Sequence, residues 1–233
     1  MIHPIPLAQL EQLAVAERDL TILDWQDVDL HECDLSGRVL SLANLAGANL
    51  ASAILRSTDF ADANLYETSF VGAVLDRARL VKAEAKKANF SGASLREVDG
   101  VRFEAIEADL RNADMAHATF IKADFNRVHL EWANLSYADL SYATFLNANL
   151  KHANLSHANL RDTILVKANL AWAILTGAVF SNALLAGVRG LECVQVDWID
   201  IGKENAPERL EGEVARHWLL EQAAQSSAEW WKR

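Results

Sequence analysis

Apolar residues recur at every fifth position of this chain, without interruption, from Leu20 to Leu185. Of the 34 positions in that series, 29 are leucine or phenylalanine. A second series lies two residues earlier, and 23 of its 29 members from Ala43 to Ala183 are alanine. A period of five fits neither an α-helix nor a flat β-strand, whose apolar positions recur about every 3.6 and 2.0 residues. The pattern therefore predicts a repeated structural unit of five residues.

A chain that turns a corner every five residues brings all its fifth positions to the inside of a coil. Successive centres such as Leu135, Leu140, Phe145 and Leu150 then point at one axis, and the chain returns to its start after 20 residues. Each coil can bury its leucines only by stacking on the next coil, which is the architecture of a solenoid. The sequence therefore predicts an all-β solenoid.

The repeated motif resembles the A-(D/N)-L-X-X signature of the pentapeptide-repeat family. Clear matches occur at residues 133–135, 138–140, 148–150, 153–155, 158–160 and 168–170. The resemblance implies a right-handed quadrilateral β-helix with about four pentapeptides per coil. On that basis the 34 units correspond to about eight coils.

Each position of the unit has a predicted role. The central Leu or Phe and the small residue two before it should face inward, and the last two positions should face water. The residue between them is often Asp or Asn, whose short side chains bond nearby backbone at tight turns. Residues 96–107 depart from the pattern, with Gly100 at a centre and Phe103 at a small position. We interpret this as a packing exchange in which Phe103 fills the space of a central leucine; a bend or pocket is the alternative.

The two ends of the chain lack the five-residue pattern and are expected to close the coil. Residues 1–18 are predicted to form an N-terminal cap, expected to be helical because Leu7, Leu10 and Leu13 have helical spacing. The domains that follow are a pentapeptide-repeat β-helix at 19–190, a final irregular coil and linker at 191–205, and an amphipathic helix at 206–233.

The C-terminal helix has two interpretations. It either caps the open end of the solenoid or forms the interface of a homodimer. The residues expected to serve in either role are Leu210, Val214, Trp218, Trp230 and Trp231.

Residues 20 apart stack on one side of a regular coil, and three such columns stand out. Two neighbouring columns are Trp132, His152, Trp172 and His117, Tyr137, His157. The third is Lys82, Arg102, Lys122 and Tyr142, flanked by Val81, Val101 and Ile121. Stacked aromatic and basic residues are typical of binding surfaces, but aromatic ladders also stabilise sheets by themselves. Both interpretations stay open.

The net charge of −10 adds an acidic character, concentrated in residues 1–35, which hold eight acidic residues and one basic residue. This charge fits solubility or a basic protein partner, and it disfavours direct binding to nucleic acid. No apolar run approaches the roughly 18 residues needed to cross a membrane, and the N-terminus lacks the features of a secretory signal. Cys33 and Cys193 fall in the small-residue series, which predicts inward packing instead of a disulfide. We therefore expect a cytoplasmic protein.

Catalytic and metal-binding patterns are missing from the sequence. There is no phosphate-binding glycine loop, G-x-S-x-G or H-E-x-x-H motif. His117 and His157 would lie two coils apart, about 10 Å, which is too far for one zinc ion with nitrogen ligands at about 2.1 Å. We expect no enzyme activity, no metal and no cofactor.

The sequence favours a non-enzymatic structural or protein-interaction module that presents flat β-helix faces to a protein partner. The family resemblance implies an alternative, since some pentapeptide-repeat proteins imitate DNA, bind DNA gyrase and protect it from quinolones or toxins. The acidic charge and rod shape agree with that alternative. The uninterrupted coil and basic residues such as Lys82 and Arg127 disagree with it. A secreted effector is a third interpretation, for which no export signal is recognisable.

Overall fold

A computed structural model of the protein describes residues 20, 24–203 and 205–225. The predicted cap at 1–18, together with Trp230 and Trp231, lies outside these residues. One residue of each unit forms a parallel bridge with the residue 20 later, in an unbroken series from the Asp24–Asn44 pair to the Asn169–Arg189 pair. Four five-residue units therefore complete one turn of the coil, and each turn stacks directly on the next.

Every unit ends in the same backbone turn. In residues 40–43 the amide of Ala43 donates to the carbonyl of Leu40 at 3.1 Å, and Leu42 has a φ of 62°. A positive φ at the third residue marks a type II turn, a position that favours glycine. All positions equivalent to Leu42 from Asp27 to Gly187 have positive φ, and they comprise 27 non-glycine residues and six glycines. We call this the corner position.

The corner conformation costs an ordinary L-residue roughly 1–2 kcal/mol, so neighbouring coils must support it. From Asp27 to Lys167 each corner amide donates to a carbonyl of the next coil, as Leu42 does to Ala61 at 2.9 Å and Trp132 does to Lys151 at 3.1 Å. The sequence is consistent with a positive φ at the corners, because no corner position from 27 to 187 is Val, Ile, Thr or Pro. Branched residues are strained at positive φ, and proline is locked at negative φ.

The central and small positions form one continuous core along the axis. Leu50, Leu110 and Leu170 are at most 1% exposed and belong to a single cluster, which also contains the small-position alanines of successive coils. The predicted inward roles of these two positions are confirmed.

The Asp or Asn before each centre also has its predicted local role. The Asn44 side-chain oxygen accepts from the amide of Ala46 at 3.4 Å. It additionally accepts from the Asn64 side-chain amide of the next coil at 3.0 Å. These side chains therefore both support the turns and link the coils.

The irregular stretch at Gly100 is a packing exchange and not a bend. Phe103 is 1% exposed, with its ring centroid 5.8 Å from that of Phe120. A Cβ atom on Gly100 would collide with the ring of Phe120. The coil keeps its register there, because Asp99 bridges both Arg79 and Thr119. The packing interpretation made from the sequence is therefore confirmed.

The first of the two outward positions is less exposed than predicted. Ala61, Ala116, Ser141, Val166 and Ser181 occupy it and are at most 6% exposed. These side chains lie between those of the coils above and below, so a small residue is covered by its neighbours. The expectation that this position faces water is wrong for these five residues.

The chain beyond residue 190 continues the coil with one irregularity. A 3₁₀-helix at Leu191–Cys193 accommodates one inserted residue, after which Ile174 bridges Gln195 at a spacing of 21. The amide of Leu175 donates to the carbonyl of Gln195 at 2.8 Å.

Two strands and a helix complete the described chain. β1 (Trp198–Asp200) pairs antiparallel with β2 (Arg209–Glu211), and α1 is Gly212–Ala224. The helix therefore begins six residues later than predicted, because residues 209–211 pair with β1. Ala215 and Leu219 of α1 are fully buried, and the amide of Gly187 donates to the carbonyl of Ala223 at 2.9 Å. This helix packs on the last coil.

The exchange at Gly100 predicts non-additive stabilities. Gly100→Leu should destabilise by about 1–3 kcal/mol through overpacking, and Phe103→Ala by about 3–5 kcal/mol through cavity formation. The double variant restores the usual distribution of large and small residues and should recover most of that loss. Urea unfolding measures all three free energies. Losses that simply add in the double variant would contradict the exchange.

The positive φ at the corners predicts that a β-branched side chain lowers stability more at a corner position than at the position beside it. Lys86 and Lys87 are adjacent and both exposed, but only Lys87 of the pair is at a corner, with a φ of 60°. Lys87→Val should be roughly 1 kcal/mol less stable than Lys87→Asn, because asparagine tolerates positive φ and valine does not. Lys86→Val and Lys86→Asn are the controls and should differ less. Thermal unfolding of the four variants gives the comparison, and equal differences at both positions would refute the assignment.

Candidate protein-binding faces

The ten residues predicted in the outward columns all occupy corner positions, with φ between 57° and 65°. Because corners of successive coils stack at the strand spacing of about 4.8 Å, their side chains form rows along the edges of the rod. The columns predicted from the sequence are therefore real, but they line the edges between the flat faces and do not lie on the faces themselves.

One edge carries a row of indole and imidazole rings. The centroids of Trp132 and His152 are 3.8 Å apart with planes 7° from parallel. His152 and Trp172 follow at 6.4 Å and 11°. Despite this stacking, Trp132 is 60% exposed and Trp172 is 52% exposed, because the ring edges point away from the rod.

The neighbouring edge carries a second row. Tyr137 stacks between His117 and His157, with centroid distances of 5.0 and 4.8 Å. Trp198 extends the row, with its ring edge-on to His157 at 5.9 Å. The sequence analysis missed Trp198, because the one-residue insertion before it breaks the 20-residue spacing. We call the side of the rod between these two edges, together with the rings along them, the aromatic face. Its rings are Trp132, His152, Trp172, His117, Tyr137 and His157.

Short polar side chains form the floor between the two rows. The Asn154 side-chain amide donates to the Asn134 side-chain oxygen at 3.2 Å, and Asn134 donates to Asp114 at 2.9 Å. The backbone amides of Ser136 and Ser156 donate to the same asparagine oxygens, at 3.2 and 3.0 Å. The floor is thus internally hydrogen-bonded, and its short side chains lie between two rows of large rings.

The aromatic face is free of charged residue types where its rings are densest. Residues 132–137, 152–157 and 172–177 contain no Asp, Glu, Lys or Arg, although these make up 23% of the chain. Glu131 and Lys151 directly precede the first two segments, and Asp139 and Arg161 follow them by two and four residues. An aromatic, charge-poor centre with a charged rim is the composition of protein–protein interface cores.

The stacking limits what this surface can bind. The faces of His152 are turned toward Trp132 and Trp172, and those of Tyr137 toward His117 and His157. A sugar ring or a nucleobase that binds by stacking needs a free ring face. The outward edges instead suit side chains of a protein surface laid across them.

The third predicted column forms a basic edge. Lys82 lies 3.8 Å from a carboxylate oxygen of Asp62, and the Lys122 ammonium is 5.8 Å from the centroid of the Tyr142 ring. Arg102 is exposed between these two lysines. The valine and isoleucine side chains predicted to flank the column, Val81, Val101 and Ile121, are half-buried.

Ion pairs link successive coils elsewhere on the rod. Arg77 bonds Glu97 at 2.9 Å, and Lys87 bonds Glu67 at 3.3 Å. The hydrogen bond from Arg77, and next its charge, lowers the pKa of the Glu97 carboxyl. The same bond raises the pKa of Arg77. In these exposed pairs, a positively charged corner residue follows or precedes a negatively charged one in the next coil.

The residues predicted on the C-terminal helix are dispersed. Leu210 is half-buried in β2, and Val214 is 63% exposed on α1. Trp218 is half-buried, with its ring centroid 6.4 Å from that of Phe180. The residues of α1 that are most completely buried are Ala215 and Leu219.

The described residues contain neither a metal-binding cluster nor a membrane-spanning helix. Within residues 24–203 and 205–225, no three His, Cys, Asp or Glu side chains are grouped so as to hold a metal ion. No helix in the described part of the chain is both long enough and apolar enough to cross a membrane.

The coil defines a four-sided β-helical repeat protein, and comparison with protein families gives its class. The family model for pentapeptide repeats matches in eight copies, at residues 26–60, 58–97, 105–131, 129–165 and 163–189. The chain belongs to the pentapeptide-repeat family, whose members form right-handed β-helices and are generally structural or interaction modules. The matches skip residues 98–104, where Gly100 and Phe103 exchange roles.

Solved structures of pentapeptide-repeat proteins also match. HetL, involved in heterocyst differentiation regulation in the cyanobacterium Nostoc sp. strain PCC 7120, is 26% identical over 82% of this chain and 94% of that one, with a TM-score of 0.39. A trypsin-treated variant of QnrB1, a plasmid-mediated fluoroquinolone resistance protein, is 18% identical over 78% and 86%, with a TM-score of 0.44. Rfr23 from the cyanobacterium Cyanothece 51142 is 25% identical over 49% and 87%, with a TM-score of 0.28. None of the curated proteins matches the chain.

Proposed function

We propose that this protein is a non-enzymatic interaction module, a right-handed rod of about eight coils that binds a protein partner on its aromatic face. The observation that carries this proposal is the combination of charge depletion and exposed rings. Trp132, Tyr137 and Trp172 are each more than half exposed, at 60%, 54% and 52%, next to segments without charged residue types.

Ring stacking alone accounts for only part of this surface. Stacked aromatic pairs contribute about 0.5–1.5 kcal/mol beyond the area they bury, and this explains the contacts within each row. It leaves the outward edges of the same rings in water, where covering apolar area would be favourable by roughly 25 cal/mol per Å². Tryptophan and tyrosine are also enriched among residues that dominate binding energy. A partner that covers these ring edges would bury apolar surface that stacking within the rows leaves exposed to water.

A matched set of corner variants tests the aromatic face. Trp132→Asn with Trp172→Asn removes two large side chains but keeps a residue type that tolerates positive φ. Leu42→Asn is the control, because Leu42 is also a large apolar corner residue, 73% exposed, with a φ of 62°. In a quantitative affinity capture, proteins bound by the native chain should be lost with the tryptophan variant and retained with Leu42→Asn.

Equal capture by both variants would contradict the proposal. The tryptophan variant should lose no more than about 3 kcal/mol of stability from two lost stacking contacts. Circular dichroism therefore serves as the check that any loss of binding is not a loss of fold.

Regulation of DNA gyrase is the second candidate function. The net charge of −10 and the rod shape support it, whereas the uninterrupted coil and the basic edge at Lys82, Arg102 and Lys122 disagree with an imitation of DNA. A gyrase supercoiling assay with micromolar protein, with and without a quinolone, separates the two functions. The interaction module predicts no change in supercoiling or in quinolone sensitivity. A change in either would favour gyrase.

Two further proposals follow from the sequence. A homodimer through α1 is supported by the 63% exposed Val214 and the 39% exposed Leu220 on that helix. A cytoplasmic location is supported by the sequence positions of Cys33 and Cys193, which fall in the small-residue series and are expected to face inward. Enzyme activity, cofactors and direct nucleic-acid binding form no part of the proposed function.

A further inference from the structure

A cavity of about 620 Å³ lies between α1 and the end of the coil. Trp218 and Gln222 line it from α1, and Asp162 and Asn182 border it at the corners of two successive coils. Asp162 follows His152 of the aromatic face by half of the 20-residue turn, so the cavity lies on the opposite side of the rod. Its volume is within the range of roughly 300–1,000 Å³ that small-molecule sites occupy.

The walls of this cavity are mostly apolar. Ile164 and Leu184 line it from the coil, Ile201 from the segment after β1, and Trp218 from α1. All four side chains are half-buried. The Trp218 ring packs against Phe180, with centroids 6.4 Å apart, so the aromatic wall is supported from behind.

The apolar wall of the coil is specific to this end of the rod. On this side, the position before the centre is polar in every coil from Asp24 to Thr144. In the last two coils the same position is Ile164 and Leu184, which bridge each other. Covering such side chains is favourable, but α1 leaves both half-buried. A ligand in the cavity would cover the apolar surface that α1 does not.

Asp162 gives the cavity its charge. Among the described residues that line the cavity, Asp162 alone is charged, and it is half-buried. Its carboxylate accepts a hydrogen bond from the Asn182 side-chain amide at 3.1 Å. Within the described chain it has no ion pair, whereas Asp62 of the same corner column lies 3.8 Å from Lys82. The cavity therefore holds a negative charge without a cationic partner among the described residues.

We propose that this cavity binds a small organic cation with an aromatic or branched apolar body. The cationic group pairs with Asp162, and the apolar body contacts Ile164, Leu184 and Trp218. A cation beside a half-buried carboxylate is attracted more strongly than in bulk water, because apolar surroundings lower the effective dielectric constant. A tryptophan ring adds to the attraction for a cation. This site is separate from the aromatic face and does not rest on the proposed function.

Calorimetry with two matched probes tests the selection by charge. Naphthylmethylammonium and naphthylacetate have the same ring system and opposite charges. The full-length protein should bind the ammonium probe at least roughly tenfold more tightly, since a hydrogen bond to a charged group contributes this much. Equal affinities, or tighter binding of the acetate probe, would overturn the inference.

Two corner variants locate the binding site. Asp162→Asn removes the charge and keeps a residue type that tolerates positive φ. Asp62→Asn is the matched control, because both aspartates are corner residues of one column with a φ of 55°, and both variants change the net charge equally. Asp162→Asn should bind the ammonium probe roughly tenfold more weakly than the native protein, and Asp62→Asn should bind it as the native protein does. Equal affinities of the two variants would contradict a site at Asp162.

A bulkier side chain on α1 tests the cavity itself. Gln222 is half-buried and lines the cavity, so Gln222→Trp fills part of its volume without a change of charge. This variant should lose binding of the ammonium probe, with circular dichroism to verify the fold. Trp132→Asn with Trp172→Asn should keep it. Binding retained by a folded Gln222→Trp variant, or lost with the two tryptophans of the aromatic face, would place the probe elsewhere and overturn the inference.

A different occupant of the cavity would give a different result. Trp230, Trp231, Lys232 and Arg233 lie outside the described residues and combine aromatic rings with cations. If they occupied the cavity, the native chain would bind no probe, and Trp230→Ser with Trp231→Ser would bind it. That pair of results would overturn the assignment to an external ligand.

Discussion

Closure of the backbone after 20 residues is the constraint on which the rest of the structure depends. It requires a turn at every fifth residue, and each turn places one residue at positive φ, including 27 that are not glycine. No single turn would be stable at that cost of roughly 1–2 kcal/mol. The hydrogen bonds to adjacent coils and the burial of a central leucine in each unit offset it, so each coil depends on its neighbours.

The same closure determines where a binding surface can form. Corner residues stack in rows because each coil lies directly on the next, and their side chains project from the edges of the rod. Rows of alternating charge, such as Glu67 with Lys87, bind the coils to one another. The aromatic face differs, because its rings stack along each row and still leave Trp132 and Trp172 more than half exposed.

Much of this architecture could be predicted from the sequence, because each of the five positions in the repeat has the same structural environment in every unit. The core at Leu50, Leu110 and Leu170 and the exchange at Phe103 follow from it directly. The burial of Ser141 did not, because it depends on the side chains of adjacent coils. Trp198 was missed because a single inserted residue changes the spacing. The positive φ at the corners could have been predicted, because no β-branched residue occurs at those positions. The start of α1 could not, because it depends on the pairing of β1 with β2, which the five-residue period does not indicate.

Distances between spin labels along one corner column test the closure most directly. With Cys33 and Cys193 replaced by alanine, one label is placed at Leu42 and a second at Tyr142, Asp162 or Asn182. The three separations should be about 24, 29 and 34 Å, rising by about 4.8 Å for each added coil. Separations that do not rise linearly with the number of coils, or that rise by a different step, would contradict a coil that closes every 20 residues.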